Sequence, residues 1–216
     1  MHIGVLGSGN VGQTLANALV AGGADVMVGT RDPEVTRQRP EWADAQQGLS
    51  LGTYEAAASF GEAVILAVGG QVALEVLESA GAEALGDKIL LDLTNPLDFS
   101  DGFPPTLFIS NTDSLGETIQ RTFPDVRVVK TLNTVNAALM VAPRDLADGD
   151  HSLFVSGNDE AAKRQVIAWL GEWFGWQDVI DLGDITTARG TEELLALWVR
   201  LLGTLGTPRF QFKIVR

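Results

Sequence analysis

The sequence predicts an α/β fold built on a doubly wound parallel sheet, with a small C-terminal α/β extension. Short, almost wholly apolar runs recur along the first 132 residues, which is typical of strands that helices cover on both faces. Stretches with helical spacing separate these runs, so strands and helices alternate along the chain. A glycine-rich turn, residues 7–12, follows the first apolar run directly.

The first two thirds of the chain supply the predicted elements in order. Apolar runs predict strands at residues 2–6, 25–28, 62–68, 88–93 and 126–132. Helical periodicity predicts helices at residues 10–20, 54–60, 72–85 and 114–123. Asp113 is a candidate N-cap for the last of these helices, and Gly86 is a candidate stop for the helix at 72–85.

Residues 142–150 are rich in turn-forming and acidic side chains, which predicts a domain boundary. We expect a larger domain over residues 1–142 and a smaller one over 151–216. The smaller domain should contain strands at 152–155 and 179–182, helices at 160–174 and 191–205, and a closing strand at 210–214. The helix at 191–205 is apolar around its circumference, which favours burial between the domains or in a homodimer interface.

Composition and charge exclude several classes of function. The net charge is −13, and residues 41–120 contain Lys88 as their only basic side chain, so nucleic acid is not an expected partner. The absence of cysteine and the presence of only two histidines argue against a metal site. No apolar run is long enough to span a membrane, and the N-terminus lacks the basic region of a signal peptide. The sequence therefore predicts a cytoplasmic protein.

The turn at residues 7–12 reads Gly-Ser-Gly-Asn-Val-Gly and matches the pattern G-x-G-x-x-G. Because the turn lies between a predicted strand and a predicted helix, this pattern predicts a dinucleotide site of the Rossmann type. The alternative is a turn with a purely structural role. Gly7 permits the tight turn, Gly9 lets the backbone approach a diphosphate, and Gly12 allows close packing of the helix on the sheet.

The end of the second predicted strand favours NADP over NAD. An NAD site usually carries Asp or Glu there, whereas a 2′-phosphate needs a cation and hydroxyl donors. This chain has Thr30, which offers a hydroxyl, and Arg31, which offers a guanidinium suited to phosphate. The alternative is that Arg31 pairs with Asp32 or Glu34 on the surface.

Further candidates follow the other strands, because ligands bind at the carboxyl ends of strands in such sheets. Gly69 leaves room for a flat ring, and Asn95 or Asn133 could bond a carboxamide or form local turns instead. Lys130 ends a buried strand and is a candidate general acid, anion clamp or solvent-reaching side chain. Lys130 and Asn133 are the candidate catalytic residues. No hydrolytic triad can be assembled, which favours hydride transfer between bound rings.

Together these residues resemble the NADP oxidoreductases that depend on coenzyme F420. The resemblance is carried by residues 3–12, 28–31, 95–97 and 129–133, and it extends to residues 157–159 and 181–183. It implies an enzyme that moves hydride between NADP(H) and a deazaflavin, coenzyme F420, in a cleft completed by the C-terminal part. It also implies an NADP site that includes Ser8, Asn10, Val11, Thr30, Arg31, Val68 and Gly69.

The chain departs from the pattern of archaeal members at two places near the expected second ring. Residues 130–133 stand in place of His-Thr-Ile-Pro, and residues 69–71 stand in place of a proline followed by a bulky aromatic. The acceptor is therefore open between a deazaflavin, a flavin, a quinone and another small molecule. Two alternatives are a carbonyl reductase with Lys130 as proton donor and a non-catalytic NADPH-binding redox sensor. The nucleotide-binding part also resembles the cytoplasmic domain of membrane ferric reductases.

Overall fold

The structure is a computed structural model that describes residues 1–42 and 48–216. Its strands are β1 (His2–Leu6), β2 (Asp25–Gly29), β3 (Leu49–Gly52), β4 (Ala63–Leu66), β5 (Ile89–Asp92), β6 (Leu97–Asp98), β7 (Thr106–Leu107), β8 (Arg127–Thr131), β9 (Ser152–Ser156) and β10 (Asp178–Asp181). Its α-helices are α1 (Asn10–Ala21), α2 (Pro33–Arg37), α3 (Tyr54–Phe60), α4 (Ala73–Ala80), α5 (Ala82–Leu85), α6 (Leu115–Thr122), α7 (Ala137–Val141), α8 (Glu160–Phe174) and α9 (Ala188–Leu205).

Eight of the strands form one sheet in the order β10-β9-β8-β5-β4-β1-β2-β3. Every pair from β3 to β8 is parallel. The chain moves outward from β1 to β3 and then returns to β4 on the other side of β1, so the strand order reverses between β1 and β4. A ligand crevice is expected at such a reversal. The predicted Rossmann-type α/β class is confirmed.

Residues alternate between the two faces of the sheet, and helices cover both faces. Along β4, Ile65 belongs to the apolar layer that contains α1 and α8, whereas Val64 and Leu66 belong to the layer that contains α3, α4 and α6. This alternation follows from the period of two in a strand. It explains why the predicted strands read as continuous apolar runs.

The helix predicted at residues 72–85 is broken in two. Gly81 has a φ of 84°, a left-handed conformation that glycine adopts without strain and that ends α4 before α5 begins. Gly86 ends α5, as predicted. Asp113 was wrongly predicted as the cap of α6: Ser114 Oγ accepts the hydrogen bond from Glu117 N.

The C-terminal segment differs from the prediction in two ways. β9 runs parallel to β10 but antiparallel to β8, so both strands extend the main sheet beyond residue 142. The division into domains at residues 142 and 151 stays a prediction. Residues 210–214 do not form a strand: Phe212 O accepts a bond from Ser152 N, and Ile214 N donates to Ser152 Oγ rather than to backbone.

The last helix is only partly buried. In α9, Leu195 and Val199 are buried, whereas Leu197 is 49% exposed and Leu205 is 52% exposed. The prediction of a homodimer through this helix stays a prediction. No helix in the described part of the chain combines the length and the apolar composition that a membrane span requires.

Candidate functional site

A cavity of about 480 Å³ lies where β1, β4, β5 and β8 end. The predicted residues that line it are Gly9, Asn10, Val11, Val68, Gly69, Asn95 and Asn133. The opposite wall comes from Leu195 and Trp198 of α9 and from Phe99, which follows β6. The carboxyl edge of the sheet thus forms one side of the cavity, as expected for this sheet type, and the C-terminal helix forms the other.

The three glycines of the turn differ in what surrounds them. A Cβ on Gly7 would lie 2.3 Å from Ala67 O, and one on Gly12 would lie 1.9 Å from Gly7 O. Packing alone therefore requires glycine at both positions. A Cβ on Gly9 would meet nothing within 4 Å, so the backbone at Gly9 is open to a ligand.

The start of α1 offers unbonded backbone donors. Gly9 is its N-cap and supplies no side-chain hydrogen bond, and the first turn carries no acidic residue. The first N–H groups of a helix lack partners within the helix and attract anions. The turn and the helix start are therefore suited to a diphosphate.

Hydroxyl groups gather beside the turn at the end of β2. Thr30 is buried, its Oγ1 lies 2.9 Å from Thr36 Oγ1, and it accepts a hydrogen bond from Ser8 Oγ at 3.3 Å. The structure thus brings Ser8 and Thr30 together, although 22 residues separate them.

Arg31 extends from the same corner, and its side chain is 75% exposed. Its Nη2 lies 3.4 Å from Oε1 of Glu75 in α4. The predicted alternative partners are wrong: Asp32 caps α2 through Val35 N, and Glu34 pairs with Arg37. Because an exposed ion pair is weak, the guanidinium can exchange Glu75 for a phosphate.

Asn95 and Asn133 fix each other across the cavity edge. Asn95 Nδ2 donates to Asn133 O at 2.8 Å, and Asn133 Nδ2 donates to Asn95 Oδ1 at 2.9 Å. Asn133 Nδ2 also donates to Thr191 O at 3.1 Å. No donor to Asn133 Oδ1 is present among the described residues, so this oxygen can accept a bond from a ligand N–H.

Lys130 lies outside the cavity. Its side chain is 1% exposed, so the prediction that it reaches solvent is wrong. Its Nζ lies 2.8 Å from each of three oxygens, Asp92 Oδ2, Glu192 Oε1 and Thr94 O. Burial lowers the pKa of Lys130, but the carboxylates of Asp92 and Glu192 outweigh burial and raise the pKa. The ammonium therefore stays charged at neutral pH and is held by three oxygens, which does not suit a proton donor.

The sequence did not point to the residues that form the far wall. Besides Phe99, Leu195 and Trp198, this wall contains Leu97, Val135 and Met140. Apolar residues at helical spacing read as ordinary core, so the sequence contains no signal that separates Trp198 from its neighbours. Glu192 was also missed, although a carboxylate within an apolar helix is a sign of a buried partner.

The cavity lining has a distinct chemical character. In the part of the chain that the structure describes, its side chains are apolar except for amides and the indole of Trp198, and none is an acid, a base or a hydroxyl. Such a lining can enclose flat rings and exclude water. It offers hydrogen bonds for orientation but no group that titrates near neutral pH.

Comparison with known proteins identifies the family of this chain. The family described as "NADP oxidoreductase coenzyme F420-dependent" matches residues 2–96. The F420-dependent NADP reductase of Methanothermobacter marburgensis is 30% identical over 210 residues, which cover 93% of this chain and 92% of that protein. The crystal structure of a candidate F420-dependent NADP reductase from Arthrobacter sp. FB24 is 55% identical, with a TM-score of 0.96 over 99% of both chains.

A further relative shares only part of its length with this chain. Metalloreductase STEAP3 of Rattus norvegicus is 29% identical over 208 residues, which cover 95% of this chain but only 38% of the rat protein. The reductase of M. marburgensis matches over nearly its whole length, and the solved structure has the same fold throughout. The chain therefore belongs to the family of coenzyme F420-dependent NADP oxidoreductases.

Proposed function

We propose that this protein transfers hydride between NADP(H) and a flat deazaflavin or flavin-like ring, with coenzyme F420 as the first candidate. One observation carries the proposal: a single cavity joins Gly9 and the start of α1 to an apolar wall that contains Phe99 and Trp198. Two rings can therefore lie in one water-poor space. The family assignment supports NADP as one of the two partners.

The residues at the turn fit a phosphorylated dinucleotide. The free N–H groups at the start of α1 would hold the diphosphate, and the open position at Gly9 allows its close approach. Thr30 and Arg31 would hold the 2′-phosphate through a hydroxyl and a guanidinium. Val68 and Gly69 would then lie beside the nicotinamide ribose, and Asn133 Oδ1 would accept from the carboxamide.

The lining favours ring-to-ring transfer over carbonyl reduction. When bound, NADPH supplies a hydride from its nicotinamide ring. Reduction of a carbonyl also needs a proton donor within hydrogen-bond reach of the oxygen, and the described lining provides none. A deazaflavin takes the hydride at a ring carbon and can obtain its proton from water, so this chain needs only to orient the two rings.

The enzyme and the sensor would both bind NADPH, but only the enzyme would pass a hydride to an acceptor. Anaerobic mixing of the protein with NADPH and oxidised coenzyme F420 separates them, with deazaflavin absorbance as the signal. We expect bleaching with NADPH, and much slower bleaching with NADH. FMN in place of F420 tests the wider class of flavin-like acceptors.

Gly9→Val provides the matched control for this experiment. Because the Cβ position of Gly9 is open, the variant should fold like the wild type, while its side chain occupies the expected place of the diphosphate. It should therefore lose bleaching. Tight NADPH binding by the wild type without bleaching of F420 or FMN would refute the enzyme proposal and favour the sensor.

A further inference from the structure

A buried ion network around Lys130 joins three distant parts of the chain. Lys130 lies in β8, Asp92 ends β5, and Glu192 lies in α9, and Nζ of Lys130 is 2.8 Å from an oxygen of each carboxylate. All three side chains are at most 2% exposed. A buried charge is strongly unfavourable unless it is paired, so these three residues hold their elements at fixed distances.

Glu192 extends the network to a fourth element. Its Oε2 accepts from Leu115 N at 2.7 Å, and its Oε1 accepts from Gly116 N at 2.9 Å. These are the first two residues of α6, whose free N–H groups favour a carboxylate. Glu192 thus fastens α9, the helix that carries Leu195 and Trp198, to the core of the nucleotide-binding sheet.

The network lies directly beside the two amides of the cavity. Asp92 Oδ1 accepts from both Thr94 N and Thr94 Oγ1, at 2.9 and 2.6 Å, and Lys130 donates to Thr94 O. Thr94 precedes Asn95. At the other end, Thr191 precedes Glu192 and accepts the bond from Asn133. Asn95 is therefore joined to the network through the preceding residue of the chain, and Asn133 is bonded to the residue that precedes Glu192.

The backbone between Lys130 and Asn133 also departs from ordinary geometry. Leu132 is buried and has a φ of 59°, a left-handed conformation that is rare and strained for a bulky residue. Such a conformation persists only where the surroundings determine it. Here it lies between the ion network and the amide that lines the cavity.

We infer that Lys130 and Glu192 are positioning residues for hydride transfer. They hold the Asn95–Asn133 pair so that Asn133 Oδ1 meets the primary amide of a nicotinamide ring at one orientation. The inference rests on the proposed function. Because neither residue touches the cavity, their loss should disturb the alignment of the ring and leave the phosphate contacts at the turn unchanged.

The test compares three variants with the wild type. Glu192→Gln removes one charge and places an amide N–H donor where a carboxylate oxygen now accepts from Leu115 N or Gly116 N. Lys130→Met combined with Asp92→Asn and Glu192→Gln removes all three charges, so no buried carboxylate is left unpaired. The control, Arg189→Met, breaks the Arg189–Glu117 pair, which joins the same two helices, α9 and α6, away from the cavity lining. Thermal unfolding of each variant shows that it is folded.

We expect both network variants to bind NADPH within about 3-fold of the wild type and to lose about 10-fold to 100-fold in kcat, the loss that a misplaced reacting atom produces. The primary isotope effect with NADPH deuterated at the transferred position should rise, because the chemical step becomes slower. The induced circular dichroism of bound NADPH should change as well. Arg189→Met should leave NADPH binding, kcat, the isotope effect and the dichroism unchanged.

An unchanged kcat, isotope effect and dichroism in the folded network variants would overturn the inference. Equal losses in Arg189→Met would also overturn it, since docking of the helices would then explain the effect. Failure of the wild type to reduce F420 or FMN would refute the proposed function instead. In that case the dichroism of bound NADPH, which needs no acceptor, still decides whether the network orients the ring.

Discussion

Replacement of Arg31 by alanine should weaken the binding of NADPH and leave the binding of NADH almost unchanged. A charge-assisted hydrogen bond to phosphate contributes about 1.5 to 3 kcal/mol. Binding also requires Arg31 to leave Glu75, and this pair contributes about 0 to 1 kcal/mol because both side chains are more than 60% exposed. The net loss is about 0.5 to 3 kcal/mol, or about 2-fold to 140-fold in Kd.

The assay is a titration of the protein with each cofactor, followed by the fluorescence of the bound dihydronicotinamide. NADPH affinity should fall as calculated, whereas NADH affinity should change less than about 2-fold, because NADH has no 2′-phosphate for Arg31 to contact. Arg37→Ala is the matched control, since Arg37 lies in α2 and pairs with Glu34. Added salt should weaken NADPH binding to the wild type more than to Arg31→Ala.

Substitution of Glu75 should change NADPH affinity in the opposite direction. Its carboxylate competes with phosphate for the guanidinium, so Glu75→Gln should tighten NADPH binding by about 2-fold to 5-fold, up to the energy of an exposed pair. NADH binding should not change. Equal losses for NADPH and NADH in Arg31→Ala, or weaker NADPH binding in Glu75→Gln, would refute the assignment of Arg31 to the 2′-phosphate.

Three further predictions concern the turn, the acid stability and the pH profile. Gly9→Ala should keep the melting temperature of the wild type and weaken NADPH binding about tenfold. Gly12→Ala should instead lower stability by about 1 to 3 kcal/mol or more, because its Cβ would lie 1.9 Å from a backbone oxygen. The reverse pattern would contradict the assignment of Gly9 to ligand binding and of Gly12 to packing. The hydrogen bond from Arg189 lowers the pKa of Glu117 below its usual 4.5, so this pair stabilises the fold above that pH and loses its effect as the pH falls through the lowered pKa. Glu117→Gln should therefore cost stability in urea at pH 7, and this cost should shrink as the pH falls below 4.5. Since the pKa of Lys130 is raised, kcat should show no lysine titration between pH 6 and 9, and a limb that disappears in Lys130→Met would contradict its buried, charged state.

The half of the candidate site that we propose for the dinucleotide could be located from the sequence because its signals are local. The strand, the turn and the helix lie within residues 2–21, and glycine at each motif position has a steric or ligand-binding reason. Thr30 and Arg31 follow β2 at the spacing that this fold fixes. The pairing of Arg31 with Glu75, 44 residues away, depends on the packing of α4 and could not be predicted.

Lys130 shows why the remainder could not be predicted. A lysine at the end of an apolar strand has the same local sequence whether it faces a ligand or an ion pair, and its partners lie 38 residues before it and 62 residues after it. The helix break at Gly81 and the antiparallel β9 are similar cases. Both features depend on which elements pack together, and the periodicity of apolar residues does not show which elements do so.

The two walls of the cavity therefore come from different parts of the chain. The wall proposed to hold the dinucleotide is built from the turn at residues 7–12 and the ends of the neighbouring strands, whereas the far wall combines Phe99, Met140 and Trp198 from three separate segments. Substitutions in the far wall can change the shape offered to the acceptor without touching the turn at Gly9. If the two rings meet in this cavity, Trp198→Ala should raise KM for the acceptor and leave the Kd of NADPH unchanged. A parallel change in both constants would mean that Trp198 contacts the dinucleotide, and the second ring would then have to bind elsewhere.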